Sequence, residues 1–253
     1  MRKIIYNEDV AIIDSGLFFG RGVFETILLK GKAQFLDEHI SRLNNGIKEL
    51  HLGEPIKSDI VLETISKNKL DNLALKLIVT EKNIIFATRK IKYKDEDYQK
   101  GFKVRISKNI RNSKSRLTYI KSLNYLENLL EYEEANKEGY NESLFLNEDK
   151  VLAEGCTTNV FIVKDNKIYT PSQKCGLLNG VVRNYVIDNF SVVQKEISKE
   201  ELLNSDEVFL TNSLVGIIKV VDIEGNKFNS YITENIRRTY DEYIDLGRKV
   251  RNG

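Results

Sequence analysis

Apolar and polar positions along the chain change period repeatedly, and each change marks an element. Short apolar runs at residues 3–6 and 10–13 precede residues 23–30, VFETILLK, rich in β-branched and aromatic side chains. With a turn at Gly31-Lys32 and a further run at 33–36, they predict a meander of strands. Asp37 stands where a helix cap is expected. After it, Ile40, Leu43, Ile47 and Leu50 recur at steps of three and four, one helix face, with Arg42, Lys48 and Glu49 mostly off it. Residues 59–67 predict another helix. Residues 73–80 and 84–91 predict strands paired around Glu81-Lys82-Asn83, and residues 102–107 alternate apolar with basic side chains.

The stretch 109–119, NIRNSKSRLTY, is polar and without period, which suits a connection. The pattern therefore predicts a small α+β domain over 1–108, a connection over 109–119, and a larger domain over 120–253. In the second domain Leu123, Leu126, Leu129 and Leu130 predict a helix over 122–135. Strands are predicted over 142–147, 150–153 and 159–169, the last folded at Asp165-Asn166. A helix over 181–190, strands over 207–211 and 216–221, and an amphipathic helix over 231–250 complete an α/β fold of two α+β lobes.

Composition narrows the class. At about 150 residues per domain, 253 residues make one or two domains, and 41% hydrophobic residues supply a core. The 39 Lys+Arg against 37 Asp+Glu leave a charge of +2, no footprint for nucleic acid, so a small molecule is the expected partner. Two cysteines, Cys156 and Cys175, and two histidines, His39 and His51, make neither a disulfide framework nor a metal centre. The opening MRKIIYNEDV reaches Asn7, Glu8 and Asp9 before any long apolar run, so no secretory leader is expected. No apolar run spans a bilayer, and a soluble cytoplasmic protein is predicted.

Several segments could carry chemistry. Lys121, in IKSLNYLEN, sits at the mouth of the helix predicted over 122–135, where a helix terminus and burial would favour a neutral amine able to act as nucleophile or base. Taken alone it is an ordinary solvated lysine. Glu154, in VLAEGCTTNV, closes an apolar strand, where a carboxylate needs a partner, although a plain turn acid is the commoner case. Gly180, Val181 and Val182 open a helix in GLLNGVVR and offer free amides to an anion; Leu210-Thr211-Asn212-Ser213-Leu214 ends a strand in a second polar loop. Arg42, in EHISRL, has the planar fork that suits phosphate.

The order of these segments is more specific than any one of them. GRGVFET, EHISRL, IKSLNYLEN, LAEGCTTNVFIVKDNKIYTP, GLLNGVVRNYV and FLTNSLVGI together resemble the class IV pyridoxal-phosphate aminotransferase family, from about Asp14 to Val221. That family contains branched-chain aminotransferases, D-amino-acid aminotransferases and 4-amino-4-deoxychorismate lyases. The resemblance implies its two-domain fold with pyridoxal 5'-phosphate in the interdomain cleft, and a homodimer. It implies Lys121 as the catalytic residue that carries the cofactor, and Glu154 as partner of the pyridine nitrogen. Arg42, Val181, Val182, Ser213 and Leu214 would hold the phosphate.

The short chain and the segments GVFETI, KSLNYLEN and NSLVGI resemble the lyase members most. This implies conversion of 4-amino-4-deoxychorismate to 4-aminobenzoate and pyruvate in folate synthesis, with Phe24, Lys76 and Arg111 toward a dianionic substrate. Lys76 stands where relatives often carry arginine, Lys219 where they carry proline, and Arg21 where they carry Asp or Ile. The alternatives are a transaminase of D-amino or branched-chain amino acids and a catalytically silent anion-binding or cofactor-binding protein.

Overall fold

The structure is a computed structural model that describes residues 2–8 and 10–249, without the side chains of 247–249. The chain divides into two compact units. One takes the described residues up to Lys92, the segment Ile120–Tyr125 and those from Tyr243 on; the other takes Tyr93–Tyr119 and Leu126–Glu242.

In the first unit, β1 (Lys3–Tyr6), α1 (Ser15–Phe19), β2 (Gly22–Lys30), β3 (Lys32–Ala33), α2 (Leu36–Glu49), α3 (Ser58–Lys67), β4 (Leu73–Thr80) and β5 (Asn83–Arg89) follow in order. The strands form one sheet in the order β1-β5-β4-β2-β3, antiparallel except for the β1–β5 pair. Strand alternation sends Val23, Ile27, Leu29, Leu75, Leu77 and Val79 to one face, where Ile40, Leu43 and Ile47 of α2 and Val61 of α3 close a core. The opposite face carries Phe24, Thr26, Lys76 and Ile78, with Phe24 opposite Ile78 and Thr26 opposite Lys76.

The second unit contains α4 (Asp95–Lys100), β6 (Phe102–Arg111), α5 (Leu126–Lys137), β7 (Glu142–Asn147), β8 (Leu152–Gly155), β9 (Asn159–Lys164), β10 (Lys167–Pro171), α6 (Val181–Asn189), β11 (Val192–Lys195), α7 (Lys199–Leu203), β12 (Glu207–Asn212), β13 (Gly216–Ile223) and β14 (Asn226–Lys227). Helix α8 (Tyr231–Lys249) follows, and Val250 of the predicted helix lies outside the described residues. Its sheet runs β11-β10-β9-β12-β13-β6-β7-β8, with β14 paired to β13. The core lies on Val104, Leu144, Leu152, Val160, Ile162, Val208, Leu210, Ile218 and Val220. Among the described residues, no helix is long and apolar enough to cross a membrane.

Three sequence expectations change. β6, assigned by pattern to the first domain, pairs in parallel with β13 and β7 and extends through Arg111, so the first domain ends near Lys92 and part of the supposed connection is strand. Residues 10–13 form no strand, because the side chain of Asn83 brackets the backbone of Ile12 with two hydrogen bonds of 2.8 and 2.9 Å. Asp37 is not the cap of α2. Phe35, with φ 52°, takes that place, and Asp37 lies in the first turn.

Asp14 fastens the start of α1 to the β4–β5 turn. Its buried carboxylate accepts from Gly16 N (2.8 Å), Thr80 Oγ1 (2.6 Å), Lys82 N (2.9 Å) and Asn83 Nδ2 (3.1 Å). Burial alone would raise its pKa, but these donors outweigh it and hold the carboxyl below its ordinary value. A depressed folded pKa adds stability that is present above the unfolded value and is lost as the pH falls through the folded one. Asp14→Ala, which strands those donors, should therefore cost about 1–3 kcal/mol near neutral pH. In thermal unfolding the difference from wild type should shrink steadily below about pH 4; a pH-independent gap would contradict this account.

Candidate active site

The position of Lys121 comes from a backbone return. After a 3-10 turn at Arg116–Tyr119, the chain runs beside the start of β2, where Phe24 N donates to Lys121 O and Leu123 N to Gly22 O, both at 2.9 Å. Ser122 bridges Val23 in the antiparallel sense. These bonds keep residues 122–125 out of the helix, so α5 begins only at Leu126 and the helix-mouth position expected for Lys121 is not found. Instead its Nζ lies 4.5 Å from the centroid of the Phe24 ring and 5.2 Å from that of Tyr125. The rings meet edge to face, 5.3 Å apart. Their negative faces attract the ammonium while their bulk limits its hydration. Tyr125 escaped the sequence reading because it lies within what the leucine spacing marked as helix.

Lys76 shares that ring, with its Nζ also 4.5 Å from the Phe24 centroid. Arg89 stands on the same face, since Lys76 pairs with Ala87 and Arg89 with Ala74 in the β4–β5 ladder. Burial first, and then the charge of Arg89, push the Lys76 pKa below its ordinary value. Among the described residues no carboxylate pairs with Lys76 or Arg89. This face therefore presents Lys76 against an aromatic ring and Arg89 farther along the sheet, neither with a carboxylate partner among the described residues.

Arg42 projects from α2 toward the sheet. Its Nε and Nη2 donate to Glu25 Oε1 and Oε2, both at 2.7 Å, and His39 Nδ1 lies 2.7 Å from the same carboxylate. Glu25 sits on the core face of β2 and is fully buried. Burial alone would raise its pKa; the Arg42 guanidinium and His39 reverse this and hold it well below the usual carboxylate range. The two bonds fix the plane of the Arg42 fork. A lone acid in the apolar run VFETILLK was the signal for this pair.

In the second unit, Glu154 ends β8 and is 7% exposed. Its Oε2 accepts from Leu178 N at 2.9 Å, and Arg111 Nε lies 3.6 Å from Oε1. Arg111 is itself buried at the end of β6, its guanidinium 4.1 Å from the Phe145 ring centroid, so the structure brings it to Glu154 rather than to an open surface. The turn after Glu154 is clamped by buried Glu142, which accepts from the amides of Cys156 and Thr157 (3.1 Å each) and from the Thr157 hydroxyl (2.8 Å). Burial, and then Glu142, push the Cys156 thiol far up, which leaves it inert as a nucleophile.

Leu178 leads into the N-terminus of α6. Asn159 Nδ2 donates to Leu178 O at 2.8 Å, and its Oδ1 packs so close to Gly180 that an added Cβ would lie 2.0 Å from it. Gly180 offers α6 no side-chain cap. The amides of Val181 and Val182, in the buried first turn, have no acceptor among the described residues and keep the partial positive charge of a helix start. The 212–215 loop differs from expectation. Asn212 Oδ1 accepts from Leu214 N (2.9 Å) and Val215 N (2.8 Å), so the Leu214 amide is occupied within the loop, whereas Ser213 has no protein partner among the described residues.

Residues 22–223 match the family described as "Amino-transferase class IV". The chain belongs to the class IV aminotransferase family. Its relatives include the aminodeoxychorismate lyase of Bacillus subtilis, 32% identical over 86% of this chain and 82% of that protein. The D-alanine aminotransferase of Bacillus licheniformis is 29% identical, covering 93% and 92%. A solved branched-chain aminotransferase of the archaeon Thermoproteus uzoniensis, with norvaline, superposes with TM-score 0.83 at 24% identity, covering 96% and 91%, which shows the fold. Class IV aminotransferases depend on pyridoxal 5'-phosphate.

The residues present fit that cofactor. A phosphate dianion needs donors, and the unclaimed amides of Val181 and Val182, beside a glycine whose added Cβ would collide with Asn159 Oδ1, would supply them. An aldehyde needs an amine, which Lys121 offers against two rings; a basic ring nitrogen needs an acid, which Glu154 offers with one oxygen already oriented by Leu178 N. Gly180→Ala should force Asn159 aside, weaken pyridoxal 5'-phosphate binding by about tenfold or more and cost about 1–3 kcal/mol of stability. Absorbance titration and thermal melting measure the two effects. Pairing it with Asn159→Ala, which removes the colliding oxygen, should recover part of the stability; affinity equal to wild type in the single variant would refute this phosphate site.

Proposed function

We propose that this class IV enzyme is an aminodeoxychorismate lyase, acting as a cytoplasmic homodimer in folate synthesis. The observation that carries the reading is the pair Lys76 and Arg89, two cations without acidic partners among the described residues on the sheet face that carries Phe24, with Lys76 against its ring. Two cations on one sheet face with an aromatic ring suit a cyclic substrate with two carboxylates better than an amino acid with one carboxylate and an apolar side chain. The likeness to the Bacillus subtilis lyase supports it, and the similar likeness to a D-alanine aminotransferase keeps transamination as the competing outcome. A homodimer is supported by α1, whose Leu17, Phe18 and Phe19 are 71%, 67% and 76% exposed.

When bound, pyridoxal 5'-phosphate supplies an aldehyde that takes up the substrate amine and a ring that accepts the electrons of a broken C–H bond. Lys121 would hold that aldehyde through its Nζ and would be freed when the 4-amino group of 4-amino-4-deoxychorismate takes its place. The freed Nζ removes the proton from the carbon bearing that amine and delivers it to the departing enolpyruvyl group, which becomes pyruvate. Glu154 holds a proton on the ring nitrogen. The amides of Val181 and Val182, Ser213 and the oriented fork of Arg42 hold the phosphate, with Glu25 neutralising part of the Arg42 charge. Lys76 and Arg89 hold the substrate carboxylates, and Phe24 packs against its ring. Formation of the aromatic ring drives elimination ahead of transamination.

Purified enzyme given 4-amino-4-deoxychorismate and no 2-oxo acid should release pyruvate and 4-aminobenzoate in equal amounts. Strict dependence on an added 2-oxo acid would make it a transaminase. Lys121→Ala should lose the borohydride-sensitive visible absorbance; a wild-type protein that takes up no pyridoxal 5'-phosphate would leave the silent binding protein as the better reading.

Lys76 gives a separate pH signature. Because its pKa is pushed below the ordinary 10.5, its charge is lost at lower pH than that of a solvated lysine. KM for the substrate should therefore begin to rise with increasing pH before 10.5 is reached, and Lys76→Met should raise KM about tenfold or more at neutral pH and abolish the rise. A KM–pH curve unchanged by Lys76→Met would remove Lys76 from the substrate site.

A further inference from the structure

Arg111, expected toward the substrate, is a buried cation whose surroundings point elsewhere. It is 6% exposed, and its guanidinium lies over the Phe145 ring, 4.1 Å from the centroid. Nη1 approaches Asn128 Oδ1 (3.3 Å) and the exposed Glu127 (3.4 Å), while Asn128 Nδ2 donates to Cys156 O at 2.7 Å, which ties the guanidinium to the turn after Glu154. Nε and Nη2 are buried without a hydrogen-bond partner, and the Nε side faces Glu154 Oε1 at 3.6 Å. The one buried carboxylate that its guanidinium pairs with among the described residues is thus Glu154, through the Nε edge.

We propose that Arg111 is a positioning residue for Glu154, a fixed counter-charge that keeps this carboxyl ionised and turned by its Oε1 edge. The inference rests on the reading of Glu154 as partner of the ring nitrogen. A guanidinium does not lose its proton in proteins. Set behind the carboxylate, it favours the arrangement with negative charge on Glu154 and the proton on the ring nitrogen beyond, because the negative end of that pair is the nearer one. The other charged or titratable groups around Glu154 do not replace it. Arg183 of α6 is held by Asn179 Oδ1, Pro171 O and Gln194 Oε1, Glu142 of β7 by the turn amides, and Glu127 of α5 is exposed.

The first test uses ligand-free protein. Carbon-13 carboxyl NMR, with the Glu154 signal assigned through Glu154→Gln, should show its titration midpoint rising by about one pH unit or more in Arg111→Gln and by less in Arg111→Lys. An unchanged midpoint in Arg111→Gln overturns the proposal; if that variant does not fold, Arg111→Met takes its place, a midpoint raised by about one unit or more supporting the proposal and an unchanged one overturning it. The second test follows the visible spectrum of pyridoxal 5'-phosphate-loaded protein against pH. Arg111→Gln should move toward the Glu154→Gln spectrum, the double variant should go no further, and kcat should fall about tenfold with KM within about threefold. A wild-type spectrum with KM raised about tenfold would instead make Arg111 a substrate ligand. Failure of wild type to bind the cofactor defeats the functional reading alone, since the NMR titration does not use it.

Discussion

The return of Ile120–Tyr125 to the edge of β2 is the constraint on which the candidate chemistry depends. Two amide-to-carbonyl bonds between this segment and β2 fix the backbone at Lys121 itself, not merely near it. Such bonds fix a lysine far better than its own side chain, which has four rotatable bonds and about 2 kcal/mol of rotamer entropy to lose. With the backbone held, the amine needs only the Phe24 and Tyr125 rings to define its direction. The same segment costs α5 its first turn, a local preference given up for a tertiary contact.

A common device recurs at the other candidate residues: each charged group is held by a partner behind it. Arg42 is gripped by Glu25, Glu154 by Leu178 N and Arg111, and the turn that follows Glu154 by Glu142. Buried charges of this kind are expensive unless paired, and removing one partner of a buried pair costs about 3–5 kcal/mol. The partners therefore serve stability and orientation together. Lys76 and Arg89 break the pattern, being cations of one sheet face without acidic partners among the described residues.

Much of the site could be read in the linear order of its segments, but individual roles could not. Lys121, Glu154 and the Gly180-Val181-Val182 turn were legible because each lies at an abrupt change from apolar period to small or polar residues. Arg89, Tyr125 and Asn159 were not. Arg89 ends a strand in a run of charged residues, and only the register that sets it diagonally to Lys76 makes it distinctive. Asn159 reads as the polar start of an apolar strand until its side chain is seen against Gly180. Arg111 was legible as a cation, yet its direction was hidden because the polar stretch around it looked like a loop and is in part strand β6.

By itself the sequence determined the elements with strong periodicity: β1, β4 and β7 end where their apolar runs end, and α2 and α3 follow their three- and four-residue spacing. Those signals are local, since burial of one face dictates the side chains of a single segment. The tertiary structure alone decided that β6 joins the second sheet, that 120–125 returns to the first, and that Arg111 turns to Glu154 while Leu214 gives its amide to Asn212. The physical reason is that pairing partners, buried counter-charges and the acceptors of free amides are set by residues distant along the chain. Period and composition describe a segment's neighbours in sequence and carry no record of those distant partners.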